Sequence, residues 1–267
     1  MTAPRISGMK VRLVTQPYVG SSSLFDFMQH ATTDSFTSVR IAVAWAKRSG
    51  LGRAAGLLED FRAKGGHVQM IVGVSEGGAT VEGLSLAMEL ADDPWVFHDP
   101  HRTFHPKVYL ALGKTEASLF VGSNNLTAGG VGWNYETAVW IDSTHKPEKG
   151  GPIAEAINWM DGLLEESNCQ PLDDELLVRM AASGDILLGS EDRARRPSRQ
   201  QGPEDQDGLS TGTIHGIFGK PQSKMRPLPP QLRPSSPGPS IPKLPQPTES
   251  LPTAMRLILR WGRSGVR

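Results

Sequence analysis

The hydrophobic and polar positions change period several times along the chain, and each change marks an element. Val11-Arg12-Leu13-Val14 reads as a first strand, ended by Pro17 and Gly20. Ser21-Ser22-Ser23 offers a helix cap, after which Leu24, Phe25, Phe27 and Met28 line an apolar helical face. Residues 39–46 are nearly all apolar after Arg40, as expected of an interior strand covered on both faces. Residues 51–64 carry Leu51, Ala54 or Ala55, Leu58 and Phe61 at helical spacing, and Gly65-Gly66 stops that helix. Residues 68–74 form the next strand and 80–90 a third helix, which Asp92-Asp93-Pro94 ends before a short strand at Trp95-Val96-Phe97.

A run of strands follows. Residues 105–112 alternate, placing His105, Lys107, Tyr109 and Ala111 opposite Pro106, Val108, Leu110 and Leu112. Residues 118–121 are a short apolar strand. Residues 135–142 alternate Tyr135, Thr137, Val139 and Ile141 against Glu136, Ala138 and Trp140. A helix over 152–166, with Pro152 in its first turn, and a short one from 173 to about 182 complete the set. Strands alternating with helices, then a run of strands, predict an α/β fold: a mixed sheet with helices on both faces. Residues 1–190 read as one such domain.

The remaining residues, 191–267, differ in composition. Thirteen of the 21 prolines lie there, so little apolar surface is available to offset ordering entropy, and a disordered, partly polyproline tail is expected. Net charge over the 267 residues is zero, yet residues 1–190 carry −7 and residues 191–267 carry +7. The single cysteine, Cys169, excludes an intramolecular disulfide and reads as a buried thiol. Residues 1–12 lack the apolar core of a signal peptide and no apolar run reaches membrane-span length, so a cytoplasmic protein without a membrane partner is expected.

The candidate chemistry lies in the strand run. On one strand face an imidazole and an ammonium, His105 and Lys107, project side by side. A neutral imidazole can attack phosphorus while the lysine holds phosphoryl oxygens as a point charge. Gly122 lets the backbone turn at the end of the next strand, and Ser123 and Asn125 can donate to the same oxygens. Gly129, Gly130 and Gly132 keep the following loop slim, although such runs by themselves are usually turns. Taken alone, His105 would more often be a structural histidine. His98 and His101 read as loop residues, and Trp133 and Tyr135 either stack on a base or pack.

His105-x-Lys107, Gly122-Ser123-x-Asn125-Leu126-Thr127 and Asn134-x-Glu136 together resemble the signature of the phospholipase D superfamily. That family places an aspartate five residues after the lysine, where this chain has Leu112; the absence is similar to the restriction-type and helicase-associated nuclease branch. The resemblance implies a double displacement without cofactor or metal. His105 forms a phosphohistidine, Lys107, Ser123 and Asn125 hold the anionic oxygens, and Glu136 orients His105. Gly122, Thr127 and Arg102 are expected against the substrate. The scheme needs a second histidine, and none of His30, His67, His98, His101, His145 and His215 has a lysine two residues on. A homodimer sharing one active site is therefore implied. DNA is the expected substrate, RNA, lipid or nucleotide phosphodiesters and a non-catalytic phosphate-binding module being the alternatives. Because the domain is acidic, a positive groove would draw on Arg40, Lys47, Arg48, Arg53, Arg102 and Lys114.

Overall fold

The computed structural model describes residues 8–191 except Lys146, Glu148, Gly184, Asp185 and Leu187. The proline-rich stretch from 192 onward lies outside the described residues. Eight strands form one mixed sheet: β1 (Met9–Gln16), β2 (Ser38–Val43), β3 (His67–Gly73), β4 (Asp93–Phe97), β5 (Lys107–Leu112), β6 (Ala117–Gly122), β7 (Glu136–Ser143) and β8 (Cys169–Pro171). Their order is β1-β7-β6-β5-β2-β3-β4-β8. β2, β3 and β4 run parallel, and the other neighbours are antiparallel.

Helices cover the sheet where its side chains demand it. On one face Ile41, Val43, Met70, Val72, Tyr109, Phe120, Ala138 and Trp140 share a core with α1 (Leu24–Ala31), α2 (Arg48–Ala63), α3 (Val81–Leu90) and α6 (Asp174–Ser183). On the other, Ala42, Ile71, Leu110 and Leu119 pack on Ile153, Met160 and Leu163 of α5 (Pro152–Glu165). Strand alternation alone divides β5 between these cores, and burying a leucine-sized side chain contributes about 2 kcal/mol. α1 starts on a capping box, the Ser23 hydroxyl accepting from the Asp26 amide while the Asp26 carboxylate accepts from the Ser23 amide.

Local differences from the periodicity have identifiable causes. Asp93 and Pro94, expected as a helix stop, begin β4, because the chain passes straight from α3 to the free edge of β3. Arg40, a groove candidate, is buried: its guanidinium meets Gln69 at 2.8 Å and Asp161 of α5 at 2.7 Å. It ties β2 to α5 and faces no groove. Two short elements are additional, β8 and α4 (Ala128–Gly132). Cys169 is buried in β8, and burial foremost pushes its thiol up to about 11. No helix among the described residues is long and apolar enough to cross a membrane.

A polar knot closes the β1–β7 edge. Asp142 accepts hydrogen bonds from Ser118 at 2.6 Å and the Trp140 indole at 2.7 Å and pairs with Arg12 at 2.5 Å, while His30 lies 3.3 Å away. The Arg12 guanidinium stacks over the Trp140 ring. Burial would raise the Asp142 carboxyl, but the bonds from His30, Ser118 and Trp140 and the Arg12 charge outweigh it and hold it at about 2. A depressed carboxyl stabilises the fold above its unfolded value near 3.8 and loses that contribution as pH falls toward 2. Asp142→Asn should therefore cost about 2 kcal/mol at neutral pH, and much less at pH 2, as read by denaturant melts at the two pH values; an equal loss at both would contradict this assignment.

Candidate active site

The C-terminal end of β2, the N-terminal end of β5 and the C-terminal end of β6 meet at one rim of the sheet, because β5 runs antiparallel to both neighbours. Strand β5 proper begins at Lys107, so His105 stands on the approach to it. The Pro106 carbonyl still accepts from the Ala44 amide at 2.8 Å, extending the β2 ladder and fixing the backbone on which His105 is mounted.

Lys107 is buried, 6% exposed, and His105 is exposed. The Lys107 ammonium lies 2.8 Å from Nδ1 and 3.0 Å from Nε2 of His105 and donates to the His105 carbonyl at 2.9 Å. One nitrogen at nearly equal distance from both ring nitrogens lies over the ring, off the axis of either lone pair. A positive charge therefore sits against the imidazole ring. Burial lowers the Lys107 pKa, and the nearby Glu136 charge opposes that shift.

Ser123 follows Gly122 at the end of β6. A Cβ at Gly122 would collide with the Thr137 carbonyl and Ala138, so glycine permits β6 and β7 to approach there. The Ser123 hydroxyl donates to the Glu136 carboxylate and accepts from the Thr137 amide at 3.2 Å. The other Glu136 oxygen accepts from Asn134 at 3.3 Å. Thus Glu136 bonds directly to Ser123, and its link to the histidine runs through the Lys107 charge rather than through a hydrogen bond to His105.

Asn125 is oriented by the backbone. Its Oδ1 accepts from the Trp45 amide at 3.2 Å, leaving Nδ2 as the group available to an incoming oxygen. Thr127 acts locally, its hydroxyl accepting from the Gly130 amide at 3.2 Å and capping α4. Arg102 is exposed in the loop before His105 and has no hydrogen bond or ion pair to the other site residues. The structure therefore gathers His105, Lys107, Ser123, Asn125 and Glu136 at one rim, with Thr127 as a support and Arg102 outside.

Three further residues brace this rim. The Trp45 indole meets the His105 ring edge-on, with centroids 5.7 Å apart. Gln16, 2% exposed, donates to the carbonyls of Gly130 at 3.1 Å and Gly129 at 3.3 Å and accepts from Leu24 and Asn124, each at 3.3 Å. Asn124, fully buried between Ser123 and Asn125, donates to the Gly130 carbonyl at 2.9 Å, and its own carbonyl accepts from the Tyr109 hydroxyl at 2.7 Å. Burial first, and the Glu136 charge second, raise the Tyr109 pKa, so the phenol remains a donor. Trp45 lies in an apolar run that reads only as a buried strand, and Gln16 is one polar residue at a strand end; neither carries a sequence signal for this site.

No protein-family model matches the sequence, and no curated protein matches it. Solved structures are similar at low identity. NucT from Helicobacter pylori is 18% identical, with 61% of this chain and 99% of that one covered and a TM-score of 0.47. Nuc from Salmonella typhimurium, a phospholipase D family member, is 17% identical over 62% of this chain and 99% of its own, with a TM-score of 0.45. The chain is similar to a phospholipase D family structure. A phosphatidylserine synthase from Haemophilus influenzae is also similar, at 12% identity over 61% of this chain and 40% of that one, with a TM-score of 0.42.

The electrostatics of the rim can be tested without a substrate. In an NMR titration of ¹³C-labelled lysines, Lys107 should lose its proton at lower pH than the exposed lysines, and Glu136→Gln should move it lower still. A Lys107 that titrates with the surface lysines would contradict the buried arrangement.

Proposed function

We propose that the protein is a phosphodiesterase of the phospholipase D type that cleaves nucleic acid, DNA first, through a phosphohistidine. The observation that carries this reading is the Lys107 ammonium held 2.8 Å from the His105 ring beside the Ser123–Glu136 pair, with no hydrogen bond to the Asn125 Nδ2 from the described residues. The His105 lone pair attacks phosphorus, a P–N bond forms and the P–O bond to the leaving oxygen breaks. Lys107, Ser123 and the Asn125 amide hold the phosphoryl oxygens, whose charge grows in the transition state. Water then attacks phosphorus, breaks the P–N bond and returns His105 to its resting form. All of this uses the chain's own side chains, so activity in the presence of EDTA is expected.

The leaving oxygen needs a proton, and the attacking water must lose one. Among the described residues no other histidine makes a hydrogen bond or ring contact with His105, Lys107, Ser123, Asn125 or Glu136. A second copy of the chain would bring its own His105, and the sheet offers a place for it. The face that α5 covers over β5, β2, β3 and the Ala117–Leu119 part of β6 is exposed at Val121 of β6, Val139 of β7 and Leu13 and Val11 of β1. There Leu13 pairs with Val139 and Val139 with Val121, and Val11 lies two residues along from Leu13. Val11 and Leu13 are 55% and 68% exposed. An exposed apolar strip of this kind supports contact with a second copy there, and it ends two residues from Ser123 and three from Glu136.

Nucleic acid is supported by two features. The stretch 191–267 carries +7, suited to phosphate backbones. Trp133 and Tyr135 flank Asn134, which bonds to Glu136, and at 63% and 66% exposure they are not core residues. Aromatic rings so placed can stack on bases whatever the sequence.

Two experiments test the proposal. Plasmid and single-stranded DNA should be cut in EDTA by the full chain, and His105→Ala should lose at least about 10³-fold of that activity; cleavage that survives the substitution would overturn it, and cleavage of a lipid phosphodiester in place of DNA would overturn the substrate assignment alone. Leu13→Lys with Val139→Lys should convert a dimer to a monomer in light scattering and abolish cleavage. A fully active monomer would refute the shared site.

A further inference from the structure

The first turn of α2 lacks a cap of its own. Its N-cap residue, Lys47, makes no side-chain bond to the helix, so the amides of Arg48 and Ser49 need an acceptor from elsewhere. It comes from more than 140 residues along the chain. The Glu191 carboxylate accepts from the Arg48 amide at 2.5 Å, from the Ser49 amide at 2.9 Å and from the Thr80 hydroxyl at 2.8 Å. The segment before it is also seated. The Gly189 amide donates to Ala79 at 2.8 Å, the Gly189 carbonyl accepts from Val81 at 3.2 Å, and the Ser190 hydroxyl donates to Glu82 at 2.9 Å.

That strap is the outer rung of a second, smaller ladder. Gly189 bridges Thr80, the Thr80 amide donates to Ala46 at 3.3 Å, and Ala46 bridges Leu126. The Leu126 amide donates to the Trp45 carbonyl at 3.1 Å, the Lys47 amide donates to the Leu126 carbonyl at 2.9 Å, and the Trp45 amide holds Asn125. The capped turn also presses on the same loop directly: Gly50, one residue beyond Ser49, touches the Leu126–Thr127 backbone so closely that a Cβ there would collide with it.

We infer that Glu191 is a positioning residue for the phosphate-holding loop: by capping α2 from the far end of the domain, it fixes Trp45–Gly50 and through them Asn125. This inference rests on the reading of Asn125 as part of the site. It places the strap 188–191 with the catalytic machinery.

The test uses the full chain. Glu191→Ala removes the acceptor, Glu191→Gln keeps the size and one acceptor oxygen, and Asp173→Ala is a control that removes a similar cap, the 2.7 Å bond to the Leu176 amide of α6, remote from the loop. Glu191→Ala should speed hydrogen exchange at the Lys47 and Leu126 amides and lower kcat by on the order of tenfold to a hundredfold, with KM within about twofold because Lys107 and Ser123, which also hold the anionic substrate, are untouched. Glu191→Gln should fall between, and Asp173→Ala should leave both readouts unchanged. Unchanged exchange at Leu126 in Glu191→Ala, or equal effects in Asp173→Ala, would overturn the inference. Should the wild-type chain cleave no phosphodiester, the proposed function fails, while the exchange data still decide whether Glu191 controls the loop.

Discussion

A lysine buried on a strand constrains everything around it. Alternation along β5 puts Lys107 on the same face as Tyr109 and Ala111, so its ammonium leaves water whether or not a substrate is present. A buried charge persists only with partners. Here they are the His105 ring, the His105 carbonyl and the nearby Glu136 charge. The same requirement that keeps the fold intact places a cation beside the His105 imidazole, so the charge that the proposed chemistry would use is present before any ligand arrives.

Around that pair the structure fixes a loop that is inherently hard to fix. Residues 122–134 contain four glycines, which cost backbone entropy and contribute no side-chain packing. Buried polar groups substitute for packing. Gln16 and the Asn124 side chain hold the Gly129 and Gly130 carbonyls, Tyr109 holds the Asn124 carbonyl, and Trp45 holds Asn125. Each is a directional bond in a low-dielectric setting, which favours one geometry over its neighbours. Glu191 extends the same logic across the domain by supplying the cap that α2 lacks.

Much of this was legible in the sequence because periodicity speaks directly to burial. The faces of β5 and β7 and a serine cap on α1 follow from side-chain spacing and residue type, and so does the meeting of His105 with Lys107. Other features left no periodic trace. Helix α4 is five residues of Ala-Gly-Gly-Val-Gly, a composition that propensity reads as a turn, and it is nucleated by the Thr127 cap. Strand β8 is three residues long. The direct partner of Glu136 depends on how β6 and β7 pair beyond Gly122, and the docking of Glu191 on α2 joins positions 143 residues apart. Such contacts are set by tertiary register, which a single sequence does not display.

The central claim is that His105 bonds to phosphorus during turnover. Rapid base-quenched mixing with an internally ³²P-labelled oligonucleotide, followed by denaturing electrophoresis at alkaline pH, tests it most directly. The account predicts protein-bound label that is stable to base, released by acid and absent from His105→Asn. Cleavage with no label on the protein at any mixing time, or label that survives in the variant, would contradict it.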